Sequence, residues 1–458
     1  MKIALFVHCF FPEHFYGTET YTLQLAQHLQ STGHEVTVVS AVFQGEPLKK
    51  ALLTEYIFQD VKVVCIDKNY VPHSRIKETY YQESMRNVLR EVLSKLSPDL
   101  VHVTHLINHT AVLLEVAREQ EIPTVATLTD FFGFCYNNKL EAADGSLCAG
   151  PNPRRTNCLA CHLKADTSNR PAWMRGLLST NTGIKLCAEL VNGMGTLPVI
   201  RSMGIGGLVQ DIKQRPDILA SCYRNYRAVI TPTRFLRKAY EANGLAAPAF
   251  DIRFGVDVNR EPKPARQSGS KVQFGFIGQI APHKGTDILI DAFSSLPPGK
   301  AELHIYGPED QSVNYMAALR RASTGQDMHF HGTFPSERMA EILAGLDVLV
   351  IPSRWYENSP LVLLNALATH TPVIVSDVEG MTEFVEEGVN GLSFRRGSAA
   401  SLRQILQRFI DNPGLAANLS TTTEYPRTTF AMAQEVLKVY HQVVKDNRQV
   451  CVDSVLPT

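Results

Sequence analysis

The chain has 458 residues, with 45 Lys and Arg residues balanced by 45 Asp and Glu residues, so its formal net charge is zero. Hydrophobic residues make up 44% and charged residues 20%, which excludes a disordered chain and a coiled coil. The neutral balance argues against a dedicated nucleic-acid-binding protein, and the length is sufficient for two or more domains.

The chain begins with an apolar segment, Met1–Phe15, that has a single lysine and no small-residue cleavage site. Pro12, Glu13 and His14 interrupt it, so we interpret its start as a first β-strand rather than a signal peptide. No later segment has the roughly 20 uninterrupted apolar residues of a membrane span. We therefore expect a cytoplasmic protein, with at most a peripheral contact to the inner face of a membrane.

Short apolar segments alternate with helix-like segments in both halves of the chain, which predicts parallel sheets with crossover helices. In the first half the predicted strands are Lys2–Val7, Glu35–Ser40, Val61–Asp67, Asp99–Val103, Pro123–Thr129 and Ala228–Thr231. In the second half they are Val272–Gly278, Glu302–Gly307, His329–Gly332, Asp347–Pro352 and Pro372–Ser376. The first helix is predicted over Glu19–Gln30 and the last over Phe430–Lys445.

The predicted fold class is α/β, with two doubly wound, Rossmann-like domains facing across a cleft. The N-terminal domain is expected over 1–258, with an insertion at about 131–225, and the C-terminal domain over 259–428. Arg260–Lys271 is rich in Pro, Gly, Ser and charge and is interpreted as a linker. We expect 429–458, a helix and tail, to pack back on the N-terminal domain. Ligands of such sheets bind at the carboxyl ends of the strands.

Two glycine-containing loops follow the predicted first strands of the two domains. Gly17 precedes the first helix, where the absent side chain and the free N–H groups of the helix favour a phosphate. An ordinary turn with Thr18 as N-cap is the alternative. Lys284 and Gly285 lie in the second loop, where the lysine is suited to neutralise a diphosphate, although Lys beside Gly is also common on protein surfaces.

A longer motif, Pro352–Ala366, follows the predicted strand Asp347–Pro352. Glu357 lies in its polar loop, and a helix is predicted to begin near Ser359, with the positive end of its dipole toward the loop. Glu357 can accept hydrogen bonds from sugar hydroxyls, and Asn365, two turns into the predicted helix, can reach a ribose. The alternatives are an ordinary loop glutamate and a buried helix asparagine.

These loops together resemble glycosyltransferase family 4, whose members are retaining nucleotide-sugar enzymes with the GT-B fold. The resemblance covers nearly the whole chain outside the insertion. It includes GHEVTVVS at 33–40, PDLVHV at 98–103, ITPTRFL at 230–236, FGVD at 254–257 and SDVEGMTEFVEEGVNGLSF at 376–394. It implies a hexosyltransferase-like enzyme that moves a sugar from a UDP-, GDP- or ADP-linked donor to a glycan or lipid-linked acceptor. Bacterial polysaccharide or envelope biosynthesis is the expected setting.

The resemblance also implies roles for individual residues. Gly17 would approach the donor phosphates, Lys284 would bind the diphosphate, and Glu357 would hold the transferred sugar. Backbone groups at the start of the following helix would help, namely those of Ser359, Pro360 and Leu361. The implied mechanism uses neither a metal nor a protein nucleophile, because the leaving diphosphate takes the acceptor proton during front-face attack, which keeps the anomeric configuration.

Three positions depart from the family pattern. The second glutamate is Asn365, which can still contact a ribose, and the arginine before the lysine is Gln279, which removes one positive charge from the diphosphate site. A histidine beside the donor sugar is replaced by Thr129, followed by Asp130, which we expect to orient the acceptor hydroxyl. These substitutions motivate an alternative function, a non-catalytic sugar-nucleotide-binding scaffold of a glycan assembly complex.

Two further segments have a functional and a structural interpretation. His102 and His105 lie where a predicted strand ends, which suits a role in the cleft, and a structural histidine pair is the alternative. Arg170–Leu186 contains Arg, Trp and Leu residues that could lie on a membrane surface or cover an acceptor, and a solvated helix packed on the domain is the alternative.

Four of the nine cysteines form the pattern Cys135-x12-Cys148-x9-Cys158-x2-Cys161. An odd number of cysteines without a secretion signal argues against a disulfide framework, and four thiols in a short loop-like segment suit a tetrahedral Zn²⁺ site. An iron–sulfur cluster or a set of free thiols are the alternatives, and the adjacent His162 is a less suitable substitute ligand. Because cysteines would fill all four coordination positions of the ion and leave none open, the expected role of the zinc is structural.

Overall fold

The computed structural model describes residues 1–165, 172–194, 204–261, 263, 270–412 and 414–455. Internal contacts divide the chain into unit 1, formed by Met1–Arg253 and Phe430–Thr458, and unit 2, formed by Phe254–Thr429. Most of the linker predicted at Arg260–Lys271 lies outside the described residues. Within the described ranges, no helix is both long and apolar enough to span a membrane.

Unit 1 is built on eight strands: β1 (Lys2–Phe6), β2 (Glu35–Val42), β3 (Leu53–Phe58), β4 (Val61–Asp67), β5 (Leu100–Val103), β6 (Thr124–Thr127), β7 (Tyr226–Thr231) and β8 (Ala249–Asp251). They form one sheet in the order β3-β4-β2-β1-β5-β6-β7-β8, and only the β3–β4 pairing is antiparallel. The central strands β1, β2, β5 and β6 are buried almost throughout, which is the pattern of strands covered on both faces.

The helices of unit 1 that precede the linker are α1 (Gly17–Ser31), α2 (Arg86–Leu96), α3 (Val112–Glu119), α4 (Thr156–Ala165), α5 (Ala172–Leu178), α6 (Asn181–Met194), α7 (Gly204–Tyr223) and α8 (Arg234–Ala242). Helix α1 buries Tyr21, Leu25 and Leu29, which recur every four residues and therefore share one face. This face anchors the helix on the sheet, so its N-terminus lies at the carboxyl end of β1.

The predicted insertion lies between β6 and β7 and includes α4, α5, α6 and α7. These helices share a small apolar core, to which Leu159, Leu178, Ile184 and Ile212 contribute. The segment proposed to lie on a membrane, Arg170–Leu186, begins outside the described residues and then forms parts of α5 and α6. Two of its apolar residues, Leu178 and Ile184, point into this core rather than toward solvent.

Unit 2 is built on six strands: β9 (Val272–Ile277), β10 (Ala301–Tyr306), β11 (Met328–Gly332), β12 (Val348–Ile351), β13 (Val373–Ser376) and β14 (Gly391–Phe394). Its helices are α9 (Thr286–Ser294), α10 (Val313–Ala322), α11 (Met339–Gly345), α12 (Leu361–Ala368), α13 (Ala399–Asp411) and α14 (Leu415–Thr422). The all-parallel sheet has the order β11-β10-β9-β12-β13-β14, which is the 3-2-1-4-5-6 order of a Rossmann fold.

The last helix, α15 (Thr429–Val455), packs on the sheet of unit 1. Its Tyr440 is fully buried, and the hydroxyl group shares a hydrogen bond with Nδ1 of His102 in β5. The chain therefore returns to its first unit after completing the second.

All eleven predicted strands are present, with boundaries that differ by at most two residues from the prediction. The prediction omitted β3, β8 and β14. Strand β3 is joined to β4 by Gln59 and Asp60, which both have positive φ angles, as in a two-residue hairpin turn. Its signal was weak because neither residue is the glycine that usually marks such a turn, and because Ile57 on this edge strand is 74% exposed.

The strand order defines where ligands of each unit are expected. In unit 1 the strands that follow β1 in the chain lie on one side of it in the sheet, and the strands that follow β5 lie on the other side, so the strand order reverses between β1 and β5. In unit 2 the strand order reverses in the same way between β9 and β12. Ligands of doubly wound sheets bind at the carboxyl ends of strands at such switch points.

Candidate functional site

Two loops leave the carboxyl ends of β9 and β12 at the switch point of unit 2. The first ends with Lys284 and Gly285, and the second runs from Pro352 to Pro360. Gly285 has a φ of +72°, and a Cβ atom at this position would lie 2.0 Å from the carbonyl oxygen of Pro352. A glycine is therefore needed because the two loops touch here, and this contact holds Lys284 beside the second loop.

An ion pair between Lys284 and Glu357 forms the centre of these loops. Lys284 Nζ lies 2.6 Å from Glu357 Oε1. The same oxygen accepts hydrogen bonds from Ser353 Oγ at 2.7 Å and from Trp355 Nε1 at 3.0 Å. Within the described part of the chain, the second oxygen, Oε2, makes no hydrogen bond. One carboxylate oxygen is thus anchored by three donors, and the other remains able to accept from a ligand.

The Glu357 carboxyl is ionised at neutral pH although its side chain is only 10% exposed. Burial raises its pKa, but the charge of Lys284 and the hydrogen bonds from Lys284, Ser353 and Trp355 lower it by more, so the pKa lies below its usual range. The switch point of unit 2 therefore carries one buried negative charge beside one positive charge.

The backbone around Glu357 is tightly constrained. Gly380 has a φ of +88°, and a Cβ atom there would lie 1.6 Å from the Glu357 carbonyl oxygen, so only glycine can support the loop from this side. Ser359 has a φ of +60°, which is unusual for a residue with a side chain, and its buried hydroxyl lacks a hydrogen-bond partner among the described residues. Strained backbone of this kind is concentrated at ligand-binding sites.

A second cation near this centre, Arg354, was not singled out by the sequence analysis. Its guanidinium lies 2.5 Å from Asp287 Oδ2, and Tyr315 donates to Asp287 Oδ1 at 2.8 Å. The Arg354 backbone N–H donates to the His283 carbonyl at 2.8 Å, which is another link between the two loops. The only available signal was its place inside the Pro352–Ala366 motif, because the partner Asp287 lies 67 residues away.

The other predicted donor-binding residues lie around the same loops. Helix α12 begins at Leu361 after Pro360, two residues later than expected, because Ser359 has a left-handed backbone. Asn365 is half-buried about one turn into this helix, not two, and Gln279 lies half-buried directly after β9. Neither side-chain amide forms a hydrogen bond within the described ranges, so both retain their full hydrogen-bonding capacity for a ligand.

At the switch point of unit 1, Gly17 is exposed at the first turn of α1. Its φ lies outside the left-handed range, and no atom lies within 4 Å of the position that a Cβ would take. The N-cap is Tyr16 rather than Thr18, and it makes no side-chain capping hydrogen bond. The fold of unit 1 therefore does not require a glycine at this position.

Two carboxylate–histidine pairs lie at this same edge of unit 1. His105 Nε2 lies 2.9 Å from Asp130 Oδ2, and His8 Nε2 lies 3.2 Å from Glu19 Oε1. The rings of His8 and His105 are in contact, with centroids 4.3 Å apart. Burial and the nearby histidines, His105 foremost, hold the pKa of His8 well below its usual range, so this imidazole is neutral at pH 7.

The structure corrects the predicted role of His102 in a ligand-binding cleft. His102 lies inside β5, its side chain is fully buried, and its Nε2 lies 2.9 Å from the Thr127 hydroxyl, while Nδ1 is bonded to Tyr440. Burial lowers its pKa to about 3, so it is a neutral structural histidine. Thr129, at the position of the family histidine, donates its hydroxyl hydrogen to the Thr104 carbonyl at 3.1 Å.

The four cysteines of the expected zinc site lie together in the insertion, and none of them forms a disulfide. Burial, and then the charges of Cys135 and Cys148, raise the pKa of Cys158 to about 12, so these thiols are within electrostatic reach of one another. His162 is engaged elsewhere, because its Nδ1 lies 2.8 Å from the Tyr136 hydroxyl.

The spacing of the four thiols is wider than that of a closed zinc site. Among the described residues, no three of these sulfur atoms lie within 4.8 Å of one another. Zinc–sulfur bonds of about 2.3 Å would place tetrahedral ligands about 3.8 Å apart. The donor atoms therefore suit zinc, whereas their separation requires the side chains to close around the ion.

Two family models match the chain. One, described as Glycosyltransferase Family 4, matches residues 15–141, which include Gly17, His105 and Asp130. The other, described as Glycosyl transferases group 1, matches residues 257–424, which include Lys284 and Glu357. The chain belongs to glycosyltransferase family 4. Together the two matches cover more than half of this family 4 chain and leave out most of the insertion and the last helix.

A curated glycosyltransferase is similar to part of the chain. The D-inositol 3-phosphate glycosyltransferase of Nocardia farcinica is 29% identical over 244 residues, which cover 49% of this chain and 54% of the relative. The match thus spans about half the length of that protein.

Solved structures show the same fold over almost the full length of the family 4 chain. The sucrose-phosphate synthase of Thermosynechococcus elongatus superposes with a TM-score of 0.64 at 16% identity, covering 97% of this chain and 99% of that one. The Anabaena protein Alr3699/HepE, solved in complex with UDP-glucose, gives 0.63 at 15% identity and covers 96% and 100%. The fold of the chain is therefore GT-B, with two parallel-sheet α/β domains.

Proposed function

We propose that this family 4 chain transfers a sugar from a nucleotide-sugar donor to a hydroxyl of a glycan or lipid-linked acceptor, with retention of the anomeric configuration. The observation that carries the proposal is the Lys284–Glu357 pair at the switch point of unit 2. A cation and a carboxylate with a spare oxygen are the groups needed to bind a diphosphate and a sugar hydroxyl side by side.

On the donor side, Lys284 and Glu357 have complementary roles. The ammonium group has three N–H donors, and the contact with Glu357 Oε1 uses one of them, which leaves two for diphosphate oxygens. Glu357 Oε2 accepts from a hydroxyl of the transferred sugar. As the bond from the sugar to the diphosphate breaks, negative charge grows on the leaving group, and the Lys284 charge stabilises it. The departing diphosphate then takes the acceptor proton.

We further propose that the donor is a UDP-hexose. Two observations support this choice: one solved structure of the same fold holds UDP-glucose, and Gln279 and Asn365 offer uncharged hydrogen-bonding groups at the predicted diphosphate and ribose positions. An amide can donate to a phosphate oxygen and to a ribose hydroxyl, although it lacks the charge of an arginine or glutamate.

On the acceptor side, we propose that His105 and Asp130 of unit 1 orient the attacking hydroxyl. Asp130 is 26% exposed, whereas His105 behind it is 6% exposed, so the carboxylate is the member of the pair that a ligand reaches. The backbone N–H of Phe132 donates to Asp130 Oδ1 at 2.9 Å and, with His105, holds the carboxylate in one orientation. This positions the hydroxyl without removing its proton.

We propose a glycan or lipid-linked acceptor in bacterial polysaccharide or envelope biosynthesis, with peripheral membrane contact for a lipid-linked one. A cavity of about 530 Å³ beside the first loop of unit 1 supports this size of ligand. Its lining includes the apolar or aromatic residues Phe10, Val42 and Tyr56 and the charged residue Lys49, so it can accommodate both faces of a sugar ring.

A binding screen followed by a turnover assay tests the proposed function. UDP-, GDP- and ADP-hexoses are compared by thermal shift, where a donor at 100 times its Kd should stabilise the protein by about 2.7 kcal/mol. The stabilising donor is then incubated with lipid-linked and oligosaccharide acceptors, and product is quantified by mass spectrometry. Binding with transfer or donor hydrolysis supports the enzyme, whereas binding without turnover across the panel would establish the scaffold function instead.

We also propose that Cys135, Cys148, Cys158 and Cys161 hold a structural Zn²⁺. Support comes from four thiols, none in a disulfide, of which Cys158 and Cys161 lie in α4 and Cys135 and Cys148 lie in the preceding segment of the insertion. Thiolates are the soft ligands that zinc prefers, and a bound ion would tie this segment to the helix.

Metal analysis of the purified chain tests the zinc proposal. We expect one equivalent of zinc in the wild-type protein, its loss in the Cys158→Ser/Cys161→Ser variant, and its retention in the matched control Cys65→Ser, in which the mutated thiol lies in β4. One equivalent of an iron–sulfur cluster, detected as bound iron and visible absorbance, would show that the four cysteines hold this cluster instead of zinc. Four reactive thiols without metal would refute both.

A further inference from the structure

One face of the sheet in unit 2 carries three histidines outside the site described above. Strand β10 alternates regularly, with Ala301, Leu303 and Ile305 in the apolar core and Glu302, His304 and Tyr306 half-buried on the opposite face. The neighbouring edge strand β11 presents His329 and His331, both exposed, on the same face as His304. Because side chains two residues apart share a face, these three imidazoles form one group, the histidine face.

The ring nitrogens of two of these histidines already converge. His304 Nδ1 lies 2.9 Å from His331 Nε2, and the His329 ring centroid lies 5.2 Å from that of His304. Tyr306 stacks on His331 with centroids 4.4 Å apart, which limits the movement of that ring. Two imidazole nitrogens bound to one metal ion at about 2.0–2.1 Å are separated by about 3 Å, so this pair has the spacing of a chelate.

The hydrogen bonds around His304 determine which of its nitrogens offers a lone pair. The Gln273 Nε2 donates to the Lys271 carbonyl at 3.1 Å, so Gln273 Oε1 is the atom that faces His304. That oxygen lies 2.6 Å from His304 Nε2, which must therefore carry the hydrogen. Nδ1 is left unprotonated and faces His331. A histidine whose remote nitrogen is held by a neighbouring oxygen is the usual arrangement at metal centres.

We propose that His304 and His331 bind a divalent transition-metal ion such as Zn²⁺ or Ni²⁺ on the histidine face, with His329 beside the pair rather than bound to the ion. The ion takes His304 Nδ1 and His331 Nε2, and the hydrogen that His331 Nε2 donates in the free protein moves through solvent to its Nδ1. Water completes the coordination. Neutral nitrogen ligands select these ions over Mg²⁺ and Ca²⁺, which prefer oxygen.

The electrostatics of the face are consistent with metal binding at neutral pH. Burial and the charges of His331 and His329 lower the pKa of His304, and burial and the charge of His329 lower the pKa of His331. Both rings are thus unprotonated at pH 7. Glu302 Oε2 lies 3.8 Å from His304 Nε2, the nitrogen that does not bind the ion, and the Glu302 charge is balanced by Lys271, whose Nζ lies 3.0 Å from Glu302 Oε1.

Titration of the full chain with Ni²⁺ by calorimetry tests the proposal after chelator treatment and dialysis. The wild-type protein should bind one more equivalent than His331→Gln and His304→Gln. The matched control His73→Gln, which removes a histidine of unit 1, should leave that equivalent unchanged. Because the cysteines of unit 1 are identical in all four proteins, the difference reports the histidine face alone. Gln273→Leu should weaken the site by about tenfold, since it releases the His304 ring.

Several outcomes would overturn the proposal. These are equal Ni²⁺ binding by the wild type and His331→Gln, competition by millimolar Mg²⁺, or loss of the equivalent in His73→Gln. Melting temperatures measured without metal show whether each variant is folded, and we expect no change for His331→Gln because its side chain is exposed on an edge strand. Failure of this test leaves the proposed sugar transfer untouched, because none of these residues belongs to the donor loops.

Discussion

The switch points of the two sheets have different charge states. In unit 2, Lys284 and Glu357 form a pair of full charges, and a network of three donors keeps the glutamate ionised despite its burial. In unit 1, the imidazole of His8 is kept neutral by burial and lies against His105. The same strand arrangement therefore supports a lysine–glutamate ion pair in one unit and carboxylates held by imidazoles, with the His8 ring neutral, in the other.

This difference matches the chemistry proposed for each unit. A departing diphosphate gains negative charge, which a fixed cation stabilises strongly, whereas an acceptor hydroxyl needs orientation rather than a net charge. The backbone differs accordingly. Gly285 and Gly380 are required in unit 2 because loops touch at van der Waals distance or closer, whereas Gly17 in unit 1 faces open space. Four experiments test whether this contrast is real.

The largest effect is expected for Lys284→Met. It should lower kcat by about a thousandfold, because it removes the cation beside the leaving group and leaves Glu357 as a buried, unpaired charge. Initial transfer rates with the stabilising donor measure this. The matched control is Lys271→Met, which removes a lysine of unit 2 that pairs with Glu302 and Asp327. A variant that folds and turns over at the wild-type rate would refute the assigned role.

Asp130→Asn should lower kcat by about a hundredfold while the Kd of the donor stays unchanged. The amide has the shape of the carboxylate but loses the charge-assisted bond to His105, so the acceptor hydroxyl is held less firmly. Transfer assays and donor thermal shifts, measured on the same preparation, separate the two quantities. Weakened donor binding would show instead that unit 1 contributes to the donor site.

The two units should also respond differently to mild acid. Burial lowers the pKa of His102 to about 3. Burial is also the largest of the causes that lower the pKa of His109 to about 4. A histidine in the unfolded chain has a pKa of about 6.5. As pH falls below 6.5, the unfolded chain binds protons that folded unit 1 does not. Each histidine should then lower the free energy of unfolding by about 2 kcal/mol by pH 5.

The donor pair of unit 2 also loses stability as the pH falls, but in a lower pH window. Since folding lowers the pKa of Glu357, its stabilisation is fully present above about pH 4.3 and is lost as the pH falls through the lowered value. Hydrogen exchange at pH 7 and pH 5 measures the contrast, with β5 expected to lose protection before β12. Earlier loss in β12 would contradict the assignment of charges.

The smallest effect is expected for Gly17→Ala. The added methyl group meets nothing in the fold, so the melting temperature should not fall, but donor or acceptor binding should weaken by up to about tenfold, or 1.4 kcal/mol. Gly176→Ala, which also adds a methyl group into open space on a helix, serves as the control. Equal ligand binding by both variants would mean that no ligand approaches Gly17.

Several features of the site were predictable because they are local in sequence. Lys284 and Glu357 lie directly after buried strands, and the glycines and prolines around them mark the loops. Other features were not predictable, because they depend on strands coming together. Arg354 acquires its partner Asp287 only in the fold, and His102, expected at the end of a strand, is covered by Tyr440, 338 residues later.

By itself, the amino-acid sequence determined the alternation of strands and helices, the family, and the two loops that carry Lys284 and Glu357. Apolar periodicity and glycine positions act over a few residues, so they can be read without a fold. Only the tertiary structure decided which histidines are buried, that His105 pairs with Asp130, and that His304 meets His331. Those contacts depend on strand order and register, which bring together side chains that are distant in the chain.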